Sequence, residues 1–171
     1  MQHGDLSGLC GVVLVSFKDM DLLGFKVERE AWLYYELSDG TRMRYEIVVN
    51  QVAKSRTQRN PAGEPMYQIK TQQLFGLLSF DEALRGPPSS GNITKKRLSI
   101  SLDQQVTFSL QPNQEVWNVY RFDDGTTLEI SPVLNSVVRT KLRGSVGEPF
   151  YLINSGYSHK LKVPSSLIMK H

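Results

Sequence analysis

A chain of 171 residues, 40% apolar and 22% charged, is long enough for one ordinary domain or two small ones and too apolar for general disorder. A formal net charge of +3 permits an acidic or nucleic-acid partner without requiring one. A single cysteine, Cys10, excludes an intramolecular disulfide, and no apolar run is long enough to cross a bilayer as a helix.

The first residues, "MQHGDLSGLCGVVLVSF", hold a short apolar run behind an Asp, with no basic flank. That is a poor signal peptide, so the expected location is cytoplasmic, with no membrane association. Within this run "CGVVLVSF" (10–17), and after it "LLGFKVE" (22–28), are rich in β-branched and aromatic residues and predict strands.

"EAWLYYELSDGTRM" (30–43) recurs as "EVWNVYRFDDGTTL" (115–128). At an offset of 85, Glu30, Trp32, Tyr35, Asp39, Gly40, Thr41, Asn50 and Val52 meet identical residues; after one deletion Gly63, Glu64, Pro65, Tyr67, Ile69 and Leu77 do so at 84. An internal duplication is the expected origin, with a first β unit at 1–84, a linker "RGPPSSGN" within 85–93, and a second β unit at 94–171.

Alternation sets the hairpin register. Leu33, Tyr35, Leu37, Met43 and Tyr45 share one face, and Glu36, Arg42, Arg44 and Glu46 the other. A two-residue Asp-Gly loop would set Leu37 beside Arg42 and mix the faces. A three-residue loop of Ser38, Asp39 and Gly40 pairs Leu33 with Tyr45 and Tyr35 with Met43, with Gly40 left-handed. The same holds for Asp123, Asp124 and Gly125. Turn chemistry alone then accounts for Asp-Gly-Thr, with solvated charges beside it.

Beyond the hairpin, "IVVNQVAKSRT" predicts a long bent strand; "SPVLNSVV" adds a Ser-Pro that suits a helix start, so a short helical turn is expected there. "GEP" marks a turn before strands at "MYQIK" and "FYLIN". "SFDEAL" (79–84) has capping-box spacing at Ser79 and Glu82 and is the one expected helix, with a similar turn at "VPSSLI". "KKRLSISL" and "QVTFSL" open the second unit as expected strands. The fold class is therefore all-β: about ten strands in two small barrel-like units with pseudo-twofold symmetry, or in one interlocked barrel.

An Asp in each half resembles the aspartic proteases, but those use Asp-Thr-Gly or Asp-Ser-Gly in a buried loop, and the order here is Asp-Gly-Thr at a hairpin tip. Three histidines and one cysteine form no metal-ligand pattern, and no phosphate-binding glycine loop is present. No catalytic residues, metal or cofactor are expected. The first 84 residues carry 9 Lys/Arg against 11 Asp/Glu, and the rest 11 against 6. Lys54, Arg56 and Arg59 in one unit correspond in region to Arg139, Lys141 and Arg143 in the other, and Trp32 and Trp117 lie on the charged face. These eight residues are the expected binding set of a non-catalytic module for nucleic acid or an acidic protein, through phosphate neutralisation and base stacking. The alternatives are a protein-interaction or assembly module that uses sheet edges or the Trp-bearing face, and a small-ligand carrier or enzyme with a cleft between the two units.

Overall fold

A computed structural model describes residues 19–169. The expected strand at 10–17 lies outside the described residues. The fold is all-β: ten strands form two five-stranded antiparallel sheets.

In the first sheet the long strand β4 (Arg42–Arg59) pairs on one side with β5 (Pro65–Ser79) along its length. On its other side are β3 (Leu33–Leu37), near its start, and β1 (Met20–Leu23), near its end. In the second sheet β9 (Thr127–Arg143) pairs with β10 (Pro149–Lys162) along one side, and with β8 (Asn118–Phe122) and β6 (Leu102–Val106) on the other. The remaining two strands cross between the halves of the sequence. β2 (Phe25–Arg29) pairs with β8, and β7 (Phe108–Leu110) pairs with β3.

The hairpin register is the one alternation dictates. Leu33 lies opposite Tyr45, Tyr35 opposite Met43 and Glu36 opposite Arg42. Leu37 N–H bonds the Thr41 carbonyl at 2.8 Å, and Gly40 takes φ +85°. In the second sheet Tyr120 faces Leu128, and Gly125 takes φ +87°. Both long strands bulge at the repeated Asn: the β4–β5 ladder skips Asn50, and the β9–β10 ladder skips Asn135. A bulge bends its strand and lets one ladder serve two cores.

Those cores are distinct. One gathers Leu33, Tyr35, Leu37, Met43 and Tyr45 from the first sheet with Val106, Leu134 and Val137 from the second. The other gathers Tyr120, Phe122, Leu128 and Ile130 with Ile47, Val49 and Val52. Each long strand feeds one core before its bulge and the other around and after it. Both halves of the sequence thus contribute to both cores.

Three expectations are corrected. "KKRLSI" is not a strand but a short helix, α1 (Lys95–Ile100), N-capped by Thr94, whose Oγ1 accepts the Arg97 N–H at 3.2 Å. Lys, Arg and Leu favour helix, and none of its side chains is buried, so no sheet face competes. Ser131 and Pro132 start no helix; they lie inside β9. Pro132 falls between the stretches paired to β8 and β6, where only β10 is alongside, and such a strand tolerates Pro. The expected helix at 79–84 shrinks to a 3-10 turn at Glu82–Leu84 capped by Asp81, not Ser79. The similar turn near the C-terminus forms at Ser165–Leu167.

Candidate interaction surfaces

The central part of β4 runs past the end of β3 before β1 begins, so its backbone lacks strand partners on that side. The second half supplies them. Asn118 Nδ2 donates to the Ile47 carbonyl at 2.8 Å, and the Val49 N–H donates to Tyr120 Oη at 3.3 Å. Asn118 Oδ1 also accepts the Ala31 N–H at 3.0 Å. Tyr120 in turn donates to Glu30. Burial raises the Glu46 carboxyl above its usual range and Glu30 adds to this, with Arg44 opposing.

The hairpin tips carry the least expected feature. Asp39 is not solvated: its side chain is 7% exposed, and its ion-pair partner Arg139 is 11% exposed. Arg139 Nη1 and Tyr151 Oη both donate to Asp39 Oδ2, at 3.1 and 2.9 Å, while Oδ1 accepts the Thr41 N–H at 3.2 Å. The Thr41 and Tyr151 hydroxyls bond at 2.6 Å. The other tip repeats this geometry. Lys54 Nζ and Tyr67 Oη donate to Asp124 Oδ2 at 2.8 and 2.7 Å, and Oδ1 accepts the Thr126 N–H at 3.0 Å. Burial would raise the Asp124 carboxyl, but donors from Lys54, Thr126 and Tyr67 hold it below its usual range. Burial also lifts the Tyr67 phenol to about 12, with Asp124 adding to the rise.

Every partner in these clusters belongs to the repeat. Tyr67 and Tyr151 are equivalent at 84, and Lys54 and Arg139 at 85. The sequence showed these coincidences; it did not show that each Asp reaches a cation and a phenol in the opposite half. Turn chemistry therefore explains the Gly of Asp-Gly-Thr, and the cross-half ion pair explains the Asp.

Two of the six expected basic residues are thus already neutralised internally. Of the others, Arg56 pairs with exposed Asp21, and Arg143 spends its guanidinium on the carbonyls of Leu84, Thr140 and Leu142. Arg59 has buried Nε and Nη1 atoms without an acceptor, and Lys141 is exposed. Lys54, Arg56 and Arg59 line one depression. Arg139, Lys141 and Arg143 cluster at the end of β9 instead, beside the Asp39 tip from which β4 starts. The tryptophans are half-buried, and each has a cation over its ring: Arg44 at 4.1 Å from Trp32, Lys160 at 4.2 Å from Trp117.

A second feature arises where β5 and β10 come together without a ladder. Among the described residues each pairs with a strand on one side only, and side chains bridge the seam midway: Tyr45 Oη donates to the Gly156 carbonyl at 2.9 Å and Ser155 Oγ donates to Gln73 Oε1 at 2.5 Å. Two grooves open along this seam. One, of about 270 Å³, is lined by Met43, Phe75, Leu77, Tyr151 and Ile153, with Glu148 at its rim. The other, of about 180 Å³, is lined by the equivalent Leu128, His159, Leu161, Tyr67 and Ile69. Phe75 and Leu77 face the core side, opposite Tyr45 and Met43, yet remain 39% and 38% exposed because the seam is open.

Among the described residues no group of three His, Cys, Asp or Glu side chains could hold a metal ion, and no helix is long and apolar enough to cross a membrane. No family model matches the chain, and no curated protein or solved structure is significantly similar to it.

Proposed function

We propose that the protein is a non-catalytic interaction module that binds an extended segment of a partner protein along an open sheet edge. The observation that supports this reading is the pair of long strands, β5 and β10, each with an edge that has no strand partner among the described residues and borders an apolar groove. An added strand satisfies the free backbone groups, and its alternate side chains fill the groove. The test is selection from a display library of random ten-residue peptides, followed by amide hydrogen exchange of the complex. Selected peptides should protect amides of β5 or β10. No selectable peptide, or protection confined to other elements, overturns the reading.

A second reading, nucleic-acid binding, is supported by the depression lined by Lys54, Arg56 and Arg59 and by the exposed Lys141. It expects salt-dependent binding of single-stranded oligonucleotides. Neutralising Arg56, Arg59 or Lys141 should lower the log–log salt slope by about 0.7 per lost phosphate contact. Absence of binding at low salt rejects it.

A further inference from the structure

The two edges are equivalent in position and opposite in character. Around the first groove β5 reads Leu74, Phe75, Gly76, Leu77, Leu78; at the equivalent positions β10 reads Ser158, His159, Lys160, Leu161, Lys162. Only the Leu at the fourth position is kept. Sheet edges are commonly guarded against pairing by charged side chains, Lys above all. β10 is guarded in this way, with Lys162 bonded to Glu129 and Lys160 held over Trp117. β5 has no such guard between Gln73 and Ser79, and it exposes Leu78 where its ladder bulges.

The rim of the open groove is acidic. Glu148 lines both the groove and an adjoining depression formed with Leu77, Leu78, Phe80, Glu82 and Val146. Its carboxylate accepts the Val146 N–H at 3.0 Å and has no ion-pair partner among the described residues. Arg85, bonded to Glu82 at 2.6 Å, also acts on Glu148 at longer range, so one cation serves two carboxylates at this rim. The cation near the middle of the edge is Arg44, packed beneath Gly76 and over Trp32.

We propose that the two edges have divided roles. β5 receives the partner, and the partner is an extended segment with apolar side chains at alternate positions and a Lys or Arg at the end that reaches Glu148. The apolar side chains sit between Phe75 and Leu77 on one side and Tyr151 and Ile153 on the other. The cation meets Glu148. Arg44 disfavours a second cation at mid-segment. The guarded β10 edge disfavours the same segment through Lys160 and the polar side chains beside it. This assignment rests on the strand-addition reading and names its edge and its ligand.

The probes are two nine-residue peptides with Val, Ile or Phe at alternate positions and Ser or Thr between them, one ended by Lys and the other by Glu. Binding is read by fluorescence anisotropy, and location by hydrogen exchange. The Lys-ended peptide should bind several-fold more tightly and protect β5. Leu77→Lys and, separately, Leu78→Lys should each weaken it at least tenfold. Glu148→Gln should bring the two peptides to equal affinity, and Leu161→Lys on the twin edge should change neither. Protection on β10, or equal affinity of the two peptides for the unaltered protein, overturns the assignment while leaving strand addition intact. A concentration-dependent dimer in light scattering, abolished by Leu77→Lys, gives the edge to a second copy and also overturns it. Failure of library-selected peptides and of both probes removes strand addition itself.

Discussion

Arg139→Met tests the cross-half ion pair most directly. Met keeps much of the apolar stem and deletes the guanidinium, leaving Asp39 with Tyr151 and one backbone N–H in a site 7% exposed. Removing one partner of a buried pair costs about 3–5 kcal/mol, because the surviving charge is left uncompensated. Arg139 also reaches Asp103, at 3.0 Å and 36% exposed, a contact worth little because water competes for it. A loss of about 3 kcal/mol is therefore expected. With a urea slope of about 2 kcal/mol/M, the midpoint falls by about 1.5 M. Asp39→Asn alone should cost about 2 kcal/mol, and the double variant should cost less than the sum of the singles, since the second change removes the charge that the first strands. Lys54→Met, in the more exposed pair, should cost less than Arg139→Met. Its effect should add to that of Arg139→Met within about 0.5 kcal/mol, because the two clusters share no residue. Urea unfolding followed by tryptophan fluorescence supplies all five values. An Arg139→Met loss under about 1 kcal/mol, or strict additivity within the Asp39–Arg139 pair, refutes a stabilising role for the ion pair.

The two turn glycines offer a matched comparison. Ala at Gly40 or Gly125 must hold a positive φ, which costs about 1–2 kcal/mol. Gly125→Ala should cost the more, since its new Cβ lies 3.2 Å from Pro164 Cγ, whereas at Gly40 the nearest contact is an ordinary 3.4 Å; thermal unfolding that ranks them the other way contradicts the geometry. Tyr67 predicts the alkaline limit. Its phenol is raised to about 12, so the fold favours the protonated form; this contribution is complete below the ordinary value of 10 and is lost as pH climbs toward 12. Tyr67→Phe should flatten the pH dependence of stability across that interval and remove one late-titrating phenol from the absorbance titration; an unchanged slope contradicts the assignment.

How much of this was legible depended on distance along the chain. The hairpin register followed from period-two alternation and one glycine, all within fifteen residues, and it holds in both sheets. The strand crossing was not legible. Alternation says which face of β2 or β7 is apolar, but nothing local says that Phe25 pairs with Phe122 or Phe108 with Leu37. The role of Asp39 was hidden for the same reason: its cation is 100 residues away and its phenol 112. A basic residue near a turn reads as a solvated loop until the carboxylate beneath it is known. At "KKRLSI" the cause is local: Thr94 caps the segment, and only two apolar residues in six leave no face for a sheet to bury.

Comparison of the halves separates residues that hold the fold from those available for binding. Some equivalent positions that agree in chemistry are occupied by the fold: Asp39 and Asp124 by a cation and a phenol, Gly40 and Gly125 by the turn. The basic pair Lys54 and Arg139 belongs to this group, so repetition of charge is a poor guide to a ligand surface here. Where equivalent positions differ, the two halves make different contacts. Leu33 fills one core while its equivalent Asn118 bonds the β4 backbone. Phe75, Gly76 and Leu78 stand where the second half has His159, Lys160 and Lys162. Packing accounts for part of that second divergence, since Phe75 stacks on Tyr45 with ring centroids 4.4 Å apart, but Phe75 and Leu78 stay substantially exposed. An exposed apolar edge with no guard is an aggregation liability that a solvated strand has no reason to keep. It lies beside a groove whose framework of Leu77, Tyr151 and Ile153 is shared with the twin, so the unguarded Phe75, Gly76 and Leu78 are what set the two edges apart.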